Sequence, residues 1–190
     1  MIRPWLVFLF SIAALSGFAQ TPSSLEGTIT AVLMDRVQVK SADGVTHLAV
    51  LPAGVSVLKR LTVTSSDIRS GDWVGVDSKP GADGTQESVA INVFSPSMVG
   101  KVRKGQFTMA SGDLMTNAPV DQVVKGTGGT SLVLKNDEAM VAIKITDQTT
   151  VHRLVDATTG DLKPGLQVTV RGTLNADASV QASNVLISGS

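Results

Sequence analysis

One pattern is written twice along this chain. Displaced by 94 places, Asp67-Ile68-Arg69-Ser70-Gly71 falls on Asp161-Leu162-Lys163-Pro164-Gly165. The same displacement carries Val74 and Val76 onto Val168 and Val170, Ala82-Asp83 onto Ala176-Asp177, and Ile91 and Val93 onto Val185 and Ile187. With one further place, Val37 and Val39 meet Leu132 and Leu134, and Leu48 and Val50 meet Ile143 and Ile145. Apolar positions, turn glycines and turn aspartates coincide together, as expected of two copies of one small domain.

Within each copy the apolar residues alternate with period two, the spacing of strands. In the first copy, Gly27 to Val32, Val37 to Lys40, Thr46 to Val50, a short strand near Val55 to Val57, Trp73 to Val76 and Val89 to Phe94 read as strands. Asp43-Gly44 supplies a hairpin turn. On this reading Leu48 and Val50 face inward, with His47 and Ala49 on the other side. In the second copy Val120 and Val123 stand for Ile29 and Val32, and Leu132 to Lys135, Val141 to Ile145, Val151 to Val155, Leu166 to Val170 and Val185 to Ile187 follow as strands. Short strands joined by polar turns imply a sheet curled to hide its edges. The expected fold is all-β, two tandem small antiparallel Greek-key (OB-like) barrels of five to six strands each, with a split sandwich as the other packing. The expected divisions are a signal peptide at 1–19, a first barrel at 20–94, a connector at 95–118 and a second barrel at 119–190. No helix is expected beyond the leader.

The leader rests on Arg3, an apolar run from Trp5 to Leu15, and the small residues Gly17 and Ala19, which suit cleavage after Ala19. The run is shorter than the about 20 residues a spanning helix needs. A periplasmic or secreted protein is the expectation. There is no cysteine, so neither a disulfide nor a lipid-bearing thiol enters the argument. Sixteen basic residues balance sixteen acidic ones. A chain so near neutrality has no long-range field for a polyanion, which argues against nucleic acid.

No pattern of nucleophilic catalysis is present: there is no Gly-x-Ser-x-Gly, and no phosphate loop opens a helix. The expectation is a non-enzymatic protein without a cofactor. The recurring Asp67 and Asp161 turns are explained as structure, by Asp capping and a glycine of positive φ. His47 and His152 fall on non-equivalent strands and outer faces by alternation. A metal site needs three or four converging ligands, so they read as surface histidines, and as ligands only in the alternative of a metal-delivery protein. Trp73 alternates with Val74 and Val76 and so faces outward, free to stack on a sugar or base or to pack under a neighbouring domain. The connector carries Lys101, Arg103 and Lys104; three charges are few, so the run reads first as a solvated linker and otherwise as a contact for anionic headgroups or a polyanion.

Three runs carry a resemblance: Gly81-Ala82-Asp83-Gly84-Thr85-Gln86; Val93-Phe94-Ser95-Pro96-Ser97-Met98; and Met115-Thr116-Asn117-Ala118-Pro119-Val120-Asp121-Gln122-Val123-Val124. With the Asp161 to Gly165 turn they resemble a family of small exported proteobacterial proteins with two OB-like domains of unknown function. The resemblance implies the fold and the export but no catalytic residue. Some relatives bear a metal-transport permease label, which a mature chain without a spanning helix does not support. Around Lys101 to Met109 this chain departs from the relatives, which tend to have acidic, His and Trp residues there. Together these readings lead to an accessory binding protein of the cell envelope, meeting a protein or glycan through outer strand faces and the connector. The alternatives are metal delivery through His47 and His152, or a structural protein that self-associates.

Overall fold

A computed structural model describes residues 21–188, except 82–84, 128 and 138. The expected leader and the Ala82-Asp83-Gly84 turn lie outside the described residues. The described chain is all-β. Its strands are β1 (Thr21–Leu33), β2 (Arg36–Lys40), β3 (Thr46–Val50), β4 (Ser56–Val63), β5 (Trp73–Pro80), β6 (Gln86–Val93), β7 (Gly105–Thr108), β8 (Leu114–Gly126), β9 (Gly129–Asn136), β10 (Ala139–Ile145), β11 (Thr150–Ala157), β12 (Gln167–Leu174) and β13 (Val180–Ile187). Single 3-10 turns at Ser65–Asp67, Pro96–Met98 and Thr159–Asp161 are the only helical pieces among the described residues. None could cross a membrane.

Pairing closes five strands into a ring, and does so twice. β1, β2 and β3 run antiparallel in series. β3 then lies parallel to β13, β13 antiparallel to β12, and β12 antiparallel to β1. The second ring repeats the order with β8, β9 and β10, then β6 parallel to β10, and β5 between β6 and β8. Each ring therefore joins the first three strands of one sequence copy to the last two of the other. Ranges 20–94 and 119–190 are the repeats of the sequence, but neither range holds a closed ring.

The cores follow the same exchange. Ile29, Val37, Val39 and Ala49 pack with Val168, Val170, Val185 and Ile187. Val74, Val76, Ile91 and Val93 pack with Ala118, Val120, Leu132, Leu134 and Ile143. Backbone bonds lock the junctions reciprocally: Gly71 N–H donates to the Val120 carbonyl and Gly165 N–H to the Ile29 carbonyl, both at 2.8 Å. Gly71 and Gly165 hold φ of 89° and 92°, which explains glycine at that place in each turn. Among the described residues two ion pairs cross the copies, Arg153 to Asp72 at 3.1 Å and Lys144 to Glu87 at 3.9 Å. A partly exposed pair contributes about 0–1 kcal/mol, whereas each buried Val, Leu or Ile contributes about 1.5–3 kcal/mol. The apolar cores hold the exchange.

β4 and β11 carry the chain from one ring to the other. They pair antiparallel from Val57–Ala157 to Val63–Val151, with Arg60 opposite Leu154. Those two positions are 94 places apart, so each occupies in its own copy the place of the other. A pseudo-twofold axis passes through that pair. β4 also lies parallel to β13, and β11 parallel to β6, which makes a four-stranded bridge between the rings.

Three sequence readings are corrected. The strand near Val55 to Val57 continues to Val63, because Leu58 to Val63 find a full ladder on β11. Ala49, fully buried, is the inward residue of β3, and Leu48 and Val50 are only half-buried. The larger side chains of Leu48 and Val50 suggested the opposite face, but register follows the partner: His47 lies opposite Val39, which is itself buried. The span 95–118 is not a free connector. It holds β7, and its residues 114–118 are the start of β8, paired to β5.

The Asp67 and Asp161 turns cap backward rather than forward. Each carboxylate accepts from the backbone N–H of Thr64 or Thr158, at 2.8 Å in both copies, and from the same threonine's hydroxyl. These bonds hold both carboxyls below their ordinary value of 3.8. A lowered folded pKa gives stability that is present above about pH 4 and lost as pH falls through the folded value. Asp67→Asn with Asp161→Asn should therefore lower the melting temperature at pH 7, and the difference from the parent should close toward pH 2. A pH series of melting curves on both proteins checks this.

Candidate functional site

The two faces of the β4–β11 bridge differ. Val57 and Ala157 point into one core, and Val63 and Val151 into the other. By alternation the opposite face presents Ser56, Leu58, Arg60 and Thr62 beside Thr150, His152, Leu154 and Asp156. A groove of about 540 Å3 lies over this second face. Its floor is Leu58 and Arg60 of β4, Leu154 of β11, Asn92 of β6, and Asn184 and Leu186 of β13. Phe94, Met98 and Met115 form one wall, Thr169 and Arg171 the other. An adjoining space of about 510 Å3 shares Leu58, Met98 and Asn184 and extends the groove past Ser56 to Lys101, Val102 and Arg103.

The wall stands because the connector is tied down. The Ser97 hydroxyl donates to the Asp156 carboxylate, which fixes the 3-10 turn Pro96–Met98 against β11. Hydrogen bonds from Ser97 and Ser95, with the charge of Lys101, hold the Asp156 carboxyl low. Phe94 lies over Gly75, where a Cβ would sit 2.6 Å from the ring.

The charges on the floor are uneven. Arg60 has a buried Nε with no hydrogen-bond partner among the described residues, and neither Arg60 nor Arg171 forms an ion pair among them. Asp156 is the acid on this face, and the two serines engage it. Asp77, opposite Met115, borders the wall; its Oδ1 is buried without a partner among the described residues, and burial and then the nearby Asp113 push its carboxyl up.

The residues singled out in the sequence are divided by the fold. Lys101 and Arg103 reach the groove's far end. The Arg103 guanidinium lies 4.0 Å from the centroid of the Phe107 ring, and Lys104 turns away to Asp137 at 2.7 Å, so the run is not an open basic surface. Trp73 sits half-buried on β5 opposite Pro119 and does not line the groove. His152 shares the groove face but is no solvated histidine. Its Nδ1 is buried without a partner among the described residues, and burial, with Arg60 beside it, lowers its pKa. His47 is on the side of Ala49, in a cleft with Glu26 and Asp43. Asp43 is occupied there by Ser41 and the Val45 N–H. No group of three or more His, Cys, Asp or Glu converges among the described residues. Sequence reasoning missed Arg60, Leu58, Leu154 and Arg171. The repeat held one signal, since Val151 to Val155 read as a strand and implied an equally long counterpart at Val57 to Leu61 in the first copy.

A smaller cleft of about 350 Å3 contains Asp67, Arg69, Asp72 and Arg153. Arg153 is spent there on the Asp67 carbonyl at 2.8 Å and the Asp72 carboxylate at 3.1 Å. Among the described residues the groove's arginines form no ion pair, which makes it the stronger site. No family model, curated protein or solved structure matches the chain.

Proposed function

We propose that this protein is a non-catalytic binding module exported to the cell envelope, and that its partner seats in the groove over β4 and β11. The observation that carries this reading is the groove itself, a floor with Leu58, Leu154 and Leu186 around a guanidinium that has no ion pair among the described residues, walled by a connector that Ser97 and Asp156 hold in place. Outer strand faces and the connector together build it. We read each ring as an OB-like barrel: three antiparallel strands, a parallel closure and a returning strand are the order such barrels use. The exchange of halves then has a use, since it sets two barrels side by side and creates a concave surface that neither barrel has alone.

The test is a thermal-shift screen of the chain from Gln20 onward, with divalent metals, soluble envelope oligosaccharides and single-chain amphiphiles, on the parent and on Ser183→Trp. Ser183 is exposed at the groove rim, so the indole should fill the groove without entering a core. A true ligand at 100 times its Kd should stabilise the parent by about 2.7 kcal/mol and leave the tryptophan variant unmoved. Equal stabilisation of both proteins, or of neither by any ligand, would sink the reading.

A further inference from the structure

We propose that the groove binds a free amphiphilic carboxylate, its head on Arg60 and its apolar body along Leu58, Leu154, Leu186 and Met98. This rests on the reading of the groove as the binding site. A half-buried guanidinium with an unpartnered Nε has lost water without gaining an acceptor, and that loss is costly. A carboxylate restores charge-assisted bonds, in the two-point geometry that arginine favours. The floor beside it is leucine, and Met98 and Met115 are flexible enough to follow a chain of variable shape.

Other occupants fit less well. A metal ion meets a cation with no cluster of ligands. A glycan needs hydroxyl partners and an exposed aromatic face, whereas Phe94 packs on Gly75. An extended peptide adds to a free strand edge, but β4 lies between β11 and β13, and β11 between β4 and β6. The orientation follows from charge. At the far end Lys101 lies within the influence of Asp156 and Arg103 is stacked on Phe107. Arg60 has a buried Nε without a partner among the described residues, and from it to Ser56 the floor runs about 13 Å along β4.

The experiment is equilibrium binding of dodecanoate and of dodecylammonium, each below its aggregation concentration, to the chain from Gln20 onward. Arg60→Met keeps the apolar stem and removes the charge. Dodecanoate should bind at least ten times more tightly than dodecylammonium. Arg60→Met should weaken dodecanoate severalfold or more, and Ser183→Trp should abolish its binding. Equal binding of the two amphiphiles, or dodecanoate binding that ignores Arg60→Met, would overturn the anion proposal. If another ligand from the screen were blocked by Ser183→Trp while dodecanoate failed to bind, the groove would stand and this class would fall. Dodecanoate binding that survives Ser183→Trp would remove the groove as its site.

Discussion

Ending the chain at Ala157 is expected to unfold β1, β2 and β3, at the other end of the sequence, and to spare β8, β9 and β10. The truncation removes β12 and β13, which supply Val168, Val170, Val185 and Ile187 to the core around Ile29, Val37 and Val39. It also strips β1 of its ladder to β12 and β3 of its closure on β13. The second ring keeps all five strands and its core. Amide hydrogen exchange, followed peptide by peptide, reads the result. Protection should collapse across residues 21–50 and persist across 114–145. The reverse, intact β1 to β3 with unprotected β8 to β10, is what contiguous barrels would give, and it would sink the exchanged arrangement.

The bridge gives the exchange its specificity within one chain. Two copies of the first half would set Arg60 against Arg60 on the axis, and like charges directly opposite are unfavourable. The single chain sets Arg60 against Leu154. The joining of unlike copies thus removes the repulsion and leaves a lone cation on the groove floor.

The second large effect is expected at Gly172. By the repeat this position corresponds to Ser78, and both sit beside a bulge, between Arg171 and Gly172 in one ring and between Asp77 and Ser78 in the other. Serine is fully buried in its ring and its hydroxyl reaches the Leu114 carbonyl at 3.2 Å. A sequence comparison would therefore license Gly172→Ser. The structure forbids it, because a Cβ at Gly172 would stand 1.9 Å from the Gln181 carbonyl oxygen. Backbone must move to admit it, at a cost of about 3 kcal/mol. Denaturant unfolding of Gly172→Ser against the parent should show a lower midpoint with an unchanged slope. A variant as stable as the parent would mean that the two bulges have the same geometry. Gly27 is a parallel case: its Cβ would lie 2.2 Å from the Lys40 carbonyl oxygen, while Ala118 occupies the corresponding place in the other ring.

Much of the fold was legible residue by residue. Val37 and Val39, Leu132 and Leu134, Val74 and Val76 alternate cleanly, and each is fully buried. β3 was misread because Ala49, the core residue, is smaller than the Leu48 and Val50 beside it, and size misleads where a neighbouring strand sets the face. β4 was read short because Leu58 and Leu61 break the alternation. One of them faces the groove and the other stands 37% exposed on the opposite side. The site was legible only at its margin, in Lys101 and Arg103. Arg60 carries no motif, and nothing local separates it from Lys59.

Local sequence determined the strands, the turns and the existence of two copies, because period-two alternation, capping aspartates and positive-φ glycines act over a few residues. The tertiary structure alone decided which copy each strand closes with. The copies have the same apolar pattern, so β1 to β3 meet equivalent surfaces on β5–β6 and on β12–β13. What separates the two outcomes is the ladder between β4 and β11, and that ladder exists only when the chain crosses from ring to ring. The groove follows from the same crossing, since its floor is the bridge and its walls come from both rings.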